Sequence, residues 1–309
     1  MRTLTESGVK ARYSLQYEAI KKNQQWTKFA RKVNTVQPNG EDYRGSKGVR
    51  GPGERKGQNI RSTVPTEVMH IYNRNWDGGL QMPKDDWEFD KTSEMERMVD
   101  KLATFMASHP GELISDTMIA GKTIMGADGA YFYSAAHPGD TNQTNILGAS
   151  QCPKLNVATV TAPTSAEWAD LLVEVAVYMM LRTDDVGNFC NLGTTSFTVA
   201  VPPGLFPSLL QATSSALIGD GITNYLLSQK KFKFEPMMIP GWTETDAFLM
   251  IADGQSGFIY QELREPKVVE TFGPGSEYYK LNDEFYAKAT GTYNTGVDSW
   301  QATAWCDLT

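Results

Sequence analysis

The residues best suited to catalysis or metal binding are few in this chain. Three histidines and three cysteines occur among 309 residues. His137, with Asp128 and Asp140 nearby in sequence, suggests a possible set of metal ligands, but no HxH or HxxxH spacing supports such a site. Because His109 and His137 are each followed by Pro-Gly, both motifs favour turns. The histidines therefore predict neither a metal centre nor an acid–base pair.

Nucleotide binding and nucleophilic catalysis are equally poorly supported. Gly121-Lys122-Thr123 resembles the end of a phosphate-binding loop, but Asp116 stands where that motif requires glycine. The triplet also follows a predicted helix, whereas the motif follows a strand. No GxSxG elbow is present, and the carboxylate pairs Asp85-Asp86 and Asp184-Asp185 lie beside turn or cap signals. We predict no enzyme, no catalytic residue and no cofactor.

Composition and charge set the broad class of the protein. Hydrophobic residues make up 40% of the chain, which is enough for a substantial core, and no run of about 18 apolar residues predicts a membrane helix. The N-terminus lacks the apolar region of a secretory signal. Cys152, Cys190 and Cys306 are far apart and odd in number, so we expect reduced thiols in a cytosolic setting.

The net charge of -7 is unevenly distributed along the chain. Residues 1–61 hold 14 Lys+Arg and 5 Asp+Glu, a net charge of +9, and the remaining residues carry -16. A basic segment of this kind suits binding to nucleic acid, to an anionic membrane or to an acidic protein surface.

The clearest helix is predicted over Ser93–Ser108. Ser93 and Glu96 have the spacing of a capping box, and Pro110 with Gly111 predicts the end of the helix. Apolar residues recur at spacings of three, four and seven, which predicts one buried stripe. The stripe consists of Met95, Met98, Val99, Leu102, Phe105 and Met106.

The segments before this helix contain little material for a core. Residues 9–33 predict a polar helix with a thin apolar stripe. Residues 40–66 are rich in glycine and cannot bury enough surface to fold alone, which leaves a disordered loop or an arm that becomes ordered on a neighbouring chain. Predicted strands at Val68–Tyr72 and Trp76–Met82 make 40–84 a long, hairpin-like excursion.

The segments after the helix predict an α+β body. A capping box at Thr164 and Glu167 begins a strong predicted helix, Glu167–Leu181. A short helix, Glu112–Ala120, is predicted before it. The other predicted elements are strands at Thr195–Val201, Lys231–Ile239, Ala247–Ala252, Phe258–Leu263, Lys267–Phe272, Phe285–Tyr293 and Ser299–Cys306, and a helix at Leu205–Thr213.

Several segments resemble, in the same order, the major head subunit of Mu-like tailed phages. They are VAVPPGLFPSLLQATSS, FKFEPMMIPGWTETDAFLMIADG, YQELREPKVVETFG and FYAKATGTYNTGVDSWQATAWCDL. Earlier segments also fit: MHIYNRNWDGGLQMPKDDWEFD, ASHPGELISDTM and ADGAYFYSAAHPGD. The resemblance covers roughly residues 9–309 and is strongest from Val68 onwards, whereas the Gly-rich segment 44–57 departs from the pattern.

This resemblance implies the Hong Kong 97-type capsid fold of the α+β class. The implied parts are an N-terminal arm (1–39), an extended loop (40–84), a peripheral domain with the spine helix (85–159), an axial domain facing the symmetry axes of hexamers and pentamers (160–255), and C-terminal strands returning to the peripheral domain (256–309). The protein is thus expected to be a structural subunit that assembles with itself into an icosahedral phage head.

The implied partners follow from that role. They are copies of the chain in hexamers and pentamers, portal and scaffolding proteins, and packaged double-stranded DNA held without sequence-specific contact, with no membrane. The expected location is the virion, after assembly in the host bacterial cytoplasm. Two alternatives stay open: an encapsulin-like nanocompartment shell, and a nucleic-acid-binding protein that uses residues 1–61. The acidic whole chain and the absence of a helix-turn-helix pattern weigh against the second.

The charge split predicts that the basic arm of one subunit lies across the acidic body of the next, with the arm facing packaged DNA as the rival interpretation. The candidate residues for contacts between subunits are Lys21, Lys22, Arg31, Lys32, Arg44, Lys47, Arg50, Arg55, Lys56 and Arg61. We predict no covalent cross-link through Lys47 or Lys56, because a solvated polar loop offers a lysine little desolvation.

Overall fold

The computed structural model describes residues 5–44, 68–89, 93–137, 143–184, 186–218, 222–229 and 231–309. Its helices are α1 (Glu6–Lys21), α2 (Lys84–Glu88), α3 (Glu94–Ala120), α4 (Ser165–Met180), α5 (Phe206–Ser214), α6 (Tyr225–Gln229) and α7 (Glu277–Asn282). Its strands are β1 (Ala30–Asn34), β2 (Glu41–Arg44), β3 (Val68–Ile71), β4 (Arg74–Pro83), β5 (Ile146–Leu147), β6 (Ser196–Val201), β7 (Leu217–Ile218), β8 (Ile222–Thr223), β9 (Lys233–Met238), β10 (Ala247–Ala252), β11 (Phe258–Phe272), β12 (Glu284–Val297) and β13 (Thr303–Asp307).

Two sheets organise these elements, as the predicted α+β class requires. The first has the order β1-β11-β12-β4, and the second has the order β5-β13-β10-β6-β9. In the first sheet, the long strands β11 and β12 pair antiparallel, β4 pairs antiparallel with β12, and β1 pairs parallel with β11. Helices α1 and α3 pack on the first sheet, whereas α4 and α5 belong to the core of the second.

The last strand, β13, lies apart from the other strands of residues 256–309. Strands β11 and β12 belong to the first sheet, whereas β13 lies in the second, between β5 and β10, with Trp305 opposite Leu249. The assignment of residues 256–309 to a peripheral domain stays a prediction. Four of its five residues are buried, so the strand needs cover on both faces. Ala304 and Cys306 on one face pack into the core that contains α4, and Trp305 on the other face packs into the core that joins the two sheets.

Helix α3 continues well beyond its predicted end. The sequence places its end before Pro110, but the helix runs from Glu94 to Ala120 with Pro110 buried inside it, and the predicted helix Glu112–Ala120 is its second half. A proline inside a helix removes one backbone hydrogen bond. Ile114 and Met118, just beyond the proline, are completely buried, so tertiary packing of the second half outweighs that local loss.

The predicted capping box at the start of α3 is wrong, whereas the one at α4 is confirmed. Ser93 has a φ of 58°, in the left-handed region, and its side chain makes no capping hydrogen bond. Glu96 instead contacts the guanidinium of Arg12. At α4, Thr164 and Glu167 form both hydrogen bonds of the box. A sequence with the spacing of a capping box therefore forms the box only where the cap residue has extended backbone geometry.

The core between α1, α3 and the first sheet confirms most of the predicted stripe. Val99 and Ala103 are almost fully buried, whereas Phe105 is 67% exposed. Phe105 therefore does not belong to the buried stripe, and the predicted stripe is one residue too wide. This core also includes Val9, Tyr13, Tyr17, Trp87, Met95, Met106, Phe285 and Ala287.

The second core lies between α4 and the second sheet, and a third joins the two sheets. Trp168 of α4 packs on Phe248 with the ring centroids 5.3 Å apart. The joining core places Trp305 of the second sheet against Tyr133, with centroids 5.2 Å apart, and also includes Phe258 of the first sheet. Because both sheets contribute buried aromatic residues to this core, they form one continuous packed body.

The root of the predicted excursion 40–84 is a two-stranded ribbon. β2 pairs antiparallel with β3, while β4 joins β12 of the first sheet. Tyr43 donates a hydrogen bond to Gln261, 2.7 Å away, and thereby fastens the ribbon to β11. Gly40 turns into the ribbon with a φ of 124°, and a side chain there would lie 2.2 Å from the carbonyl oxygen of Ile71. The part of the excursion between the two strands lies outside the described residues.

The stripe on α3 gives a first test. Val99→Asp should lower the free energy of unfolding by about 4 kcal/mol, because a carboxylate replaces an apolar group in the core. Phe105→Asp on the exposed face of the same helix should change it by less than about 0.5 kcal/mol. Urea unfolding of unassembled subunits, followed by circular dichroism, measures both. Equal losses in the two variants would contradict the assignment of the faces.

The two cap positions give a second test. Thr164→Ala should destabilise the subunit by about 1 kcal/mol, because the backbone N–H of Glu167 in the first turn of α4 loses its acceptor, the Thr164 hydroxyl. Ser93→Ala removes a hydroxyl that makes no capping bond, so it should change stability by only a few tenths of a kcal/mol. Thermal unfolding of both variants decides the matter, and a larger loss for Ser93→Ala would mean that its hydroxyl is a cap.

Candidate subunit-contact surfaces

The N-terminal residues 5–34, which we call the strap, run along the first sheet of their own chain. The strap contains α1, a short 3-10 turn at Gln25–Lys28 and strand β1. Arg12 makes a bidentate contact with Asp100 of α3, with N–O distances of 2.8 and 2.6 Å, and also contacts Glu96. Two parallel N–H···O bonds fix the orientation of a guanidinium as well as its charge. The first half of the strap is therefore fastened to α3 by both apolar and ionic contacts.

The second half of the strap is fastened to β11 by lysines. Lys32 Nζ lies 2.7 Å from Glu262 Oε1, and it also lies 5.8 Å from the ring centroid of Tyr260. Lys21 contacts Glu265 in the same strand. These side chains are partly exposed, so each pair contributes roughly 0.2–1 kcal/mol, and salt weakens it. The backbone pairing of β1 with β11, which is parallel, fixes the direction and register of this part of the strap.

A third contact of the strap joins Arg31 to Asp298, which follows β12. The guanidinium lies 3.1 Å from the carboxylate, and Asp298 is largely buried. Burial raises the pKa of Asp298 to about 6, and the pull of Arg31 only partly opposes that shift. The desolvation of this carboxylate therefore outweighs its attraction to Arg31, so the ion pair orients the strap more than it stabilises the fold.

The structure divides the predicted contact residues into three groups. Lys21, Arg31 and Lys32 contact carboxylates of their own chain. Lys22 and Arg44 are exposed and have no ion-pair partner among the described residues. The other five, Lys47, Arg50, Arg55, Lys56 and Arg61, lie outside the described residues. Part of the charge split is therefore neutralised inside one subunit, and contacts of all ten residues between subunits stay a prediction.

The histidine that most resembled a metal ligand has a structural role. His137 Nδ1 lies 2.7 Å from Asp128 Oδ2, and its Nε2 lies 3.0 Å from Asn145 Oδ1. Its ring stacks on Trp300 with the planes nearly parallel and the centroids 3.9 Å apart. Asp140 lies outside the described residues. Across the parts of the chain that the structure describes, no group of three His, Cys, Asp or Glu side chains is arranged to hold a metal ion.

No sequence pattern predicted the exposed apolar side chains around the end of α4. Val177 and Leu181 lie one helical turn apart and are both exposed, Leu181 by 64%. Phe189 and Leu192 in the following loop are also exposed, Leu192 by 73%. Alternation and helical periodicity identify an apolar face but do not show whether the chain itself covers it. Exposed apolar groups of this kind indicate a contact surface.

No helix in the described part of the chain has the length and apolar character needed to cross a bilayer.

Comparison with known proteins shows where this architecture occurs. Residues 3–158 match the family model described as Mu-like prophage major head subunit gpT. No curated protein matches the chain. Among solved structures, the procapsid of bacteriophage JBD30 matches with a TM-score of 0.56 at 13% identity, covering 98% of this chain and 75% of that one.

Two further structures support the same fold. The capsid of cyanophage P-SCSP1u matches with a TM-score of 0.58 at 12% identity, covering 92% of this chain and 88% of that one. The virus-like particle from Pyrococcus furiosus matches with a TM-score of 0.52 at 5% identity, covering 96% and 98%. The predicted Hong Kong 97-type capsid fold is confirmed. With the family match over half of the chain, this fold shows that the chain belongs to the Mu-like prophage major head subunit family and is a major capsid protein of a tailed-phage head.

Proposed function

We propose that this subunit assembles with its own copies into the hexamers and pentamers of a closed icosahedral head that encloses double-stranded DNA. Portal and scaffolding proteins are the further partners of this proposal, and the host bacterial cytoplasm is the place of assembly. The protein carries out no reaction in this role. The division into arm, extended loop, peripheral domain and axial domain, at the residue ranges given above, is part of the proposal.

Large apolar side chains that an isolated subunit leaves in solvent carry the proposal. More than half of each of these side chains is exposed: Leu15, Val36, Tyr72, Phe89, Phe105, Leu181, Leu192, Leu217, Ile222 and Leu281. They lie on several helices, in loops and on the paired strands β7 and β8. Single exposed apolar residues are ordinary, but many spread over several faces suit a subunit that contacts several neighbours at once.

The distribution of charge supports a shell that does not bind its DNA tightly. The chain carries a net charge of -7, and described cations of the strap such as Arg12 and Lys32 already contact carboxylates. A protein that binds DNA tightly needs free cations to replace the counterions of the phosphates. A subunit of net negative charge therefore fits packaged DNA that moves during filling and release.

A shell that holds protein cargo is the second candidate. This is the encapsulin-like alternative, and the likeness to the virus-like particle from Pyrococcus furiosus, at 5% identity, shows a shared fold that both candidates have. The two candidates differ in the contents of the particle, so one preparation distinguishes them.

Electron microscopy of the purified protein tests the proposal. We expect closed, angular shells, and particles isolated from infected or induced cells should protect double-stranded DNA from nuclease. Shells that protect a defined protein and no DNA would favour the second candidate. Monomers at all protein and salt concentrations would contradict both.

The exposed cations without partners give a further prediction. Lys22→Gln combined with Arg44→Gln should shift the balance from shells to free subunits without changing subunit stability. Each exposed ion pair contributes only roughly 0.2–1 kcal/mol. The same pair is repeated at every contact between subunits, so its loss changes the measured fraction of assembled protein. Arg31→Gln with Lys32→Gln should instead lower subunit stability by about 1 kcal/mol, because both residues fasten the strap to its own chain.

Sedimentation of assembled and free protein at several salt concentrations measures the first effect, and urea unfolding measures the second. Lys280→Gln, an exposed substitution on α7, is the matched control and should change neither. If Lys22→Gln with Arg44→Gln left shells unchanged while only DNA-filled heads became unstable, these residues would contact DNA and not a neighbouring subunit.

A further inference from the structure

A groove of about 580 Å³ lies where the strap crosses the middle of α3. One wall is the 3-10 turn of the strap with Gln24, Gln25 and Trp26, and the floor is the turn of α3 that begins at Gly111. The opposite wall is the segment 237–241 at the end of β9, which contributes Met237, Ile239 and Pro240. None of the residues considered above as contacts between subunits lines this groove.

The groove contains a hydrogen-bond donor that the protein leaves unused. Trp26 is only 7% exposed, and its indole Nε1–H has no hydrogen-bond partner within the described parts of the chain. The indole edge faces Gly111, since a side chain built at that glycine would lie 3.7 Å from Nε1. An unsatisfied buried donor is rare in a native protein and requires an explanation. A ligand that supplies an acceptor at this point is such an explanation.

Gln24 is the side chain that a ligand would move aside to reach this donor. Its Oε1 lies 3.1 Å from the same built position at Gly111, so the carboxamide covers the indole edge. Its Nε2 donates only one long hydrogen bond, 3.5 Å, to the carbonyl of Ile20. A side chain held this weakly moves at little cost.

The floor of the groove carries negative charge without a counter-charge. Glu112 and Asp116 lie four residues apart on α3, so they share one face of the helix, and both are exposed. Neither has an ion-pair partner among the residues described in the structure. Like charges at this spacing repel each other, and a cation placed between them removes the repulsion.

We propose that this groove binds an extended, basic peptide segment of a separate protein. A backbone carbonyl of the peptide accepts the hydrogen bond of Trp26, and a lysine or arginine side chain lies between Glu112 and Asp116. An apolar side chain packs against Met237 and Pro240. The strap wall, the α3 floor and the wall at 237–241 thus match the three kinds of group that an extended peptide presents: a backbone carbonyl, a charged side chain and an apolar side chain.

The charge of the chain argues that the peptide comes from another protein and not from a second copy. Outside residues 1–61 the chain carries a net charge of -16, so most of a second copy brings negative charge to an acidic groove, and its basic residues 1–61 are the rival occupant that the test must distinguish. The described strap cations Lys21, Arg31 and Lys32 are engaged by their own subunit. Complementary charge between partners speeds association and suppresses wrong partners, which favours a basic segment of different origin.

Fluorescence anisotropy with the full-length protein tests the proposal. The probe is the fluorescein-labelled peptide acetyl-AKPARAKAG-amide, and its matched control has glutamine in place of every lysine and arginine. The basic peptide should bind and the neutral one should not. Glu112→Gln with Asp116→Asn should weaken binding at least about tenfold, because the cation loses both partners. Asp85→Asn with Asp86→Asn, an equal loss of charge at the exposed carboxylates of α2, should leave binding unchanged.

The indole donor is tested with a pair of buried tryptophans. Trp26→Phe should weaken peptide binding several-fold, whereas Trp242→Phe should not. Trp242 is the matched control because it is equally buried and its Nε1 also lacks a partner, but it does not line the groove. Circular dichroism and thermal unfolding of each variant confirm that it is folded before binding is compared.

Three results would overturn the proposal. The first is no binding of the basic peptide, and the second is equal weakening by the α2 and groove variants, which would show attraction to general acidity only. The third is loss of shells in Glu112→Gln with Asp116→Asn while peptide binding persists, which would assign the groove to a second copy. Because shells are scored separately by electron microscopy, failure of the groove leaves the proposed function intact.

Discussion

The antiparallel pairing of β11 with β12 is the interaction on which the rest of the described structure depends. It extends from Phe258 opposite Val297 to Phe272 opposite Tyr286, with three irregularities in register along its length. β1 attaches to one side of this ribbon and β4 to the other, while α1 and α3 cover a face of it. Residues from both ends of the chain therefore meet on one pair of strands, and the irregularities increase the twist that lets helices pack against it.

The strap shows how one subunit divides its charge between stability and assembly. Its carboxylate partners include Asp100 of helix α3 and Glu262 of strand β11. The contacts lie at the surface, so they guide the path of the strap while the buried side chains Val9, Tyr13 and Tyr17 hold it in place. Positive charge that is neutralised in this way contributes little to the electric field around the subunit, whose net charge is -7.

Sequence patterns predicted those features that depend on local chemistry. The capping box at Thr164, the strand Ala247–Ala252 and the burial of Val99 follow from spacing alone, and the structure confirms them. The end of α3 and the place of β13 could not be predicted, because both are decided by partners distant in sequence. Pro110 is an ordinary helix terminator until the residues beyond it are known to be buried.

The groove residues illustrate the same limit from the side of function. Nothing local in the sequence connects Glu112 and Asp116 with Trp26. Only the crossing of the strap over α3 brings the indole and the two carboxylates to one place. The major head subunit assignment, in contrast, was available from the order of many weak motifs, since each constrains the others.

The parallel pairing of β1 with β11 has a consequence for the time at which the subunit is completed. Lys32 and its partner Glu262 are 230 residues apart. At roughly 5–20 residues per second, a ribosome needs about 10 to 50 seconds to make the intervening chain. During that interval the first strand made has no sheet to join, and the loop closure that follows is slow. A nascent chain thus cannot present the finished surface of the subunit, and lattice growth is restricted to chains whose synthesis is nearly complete.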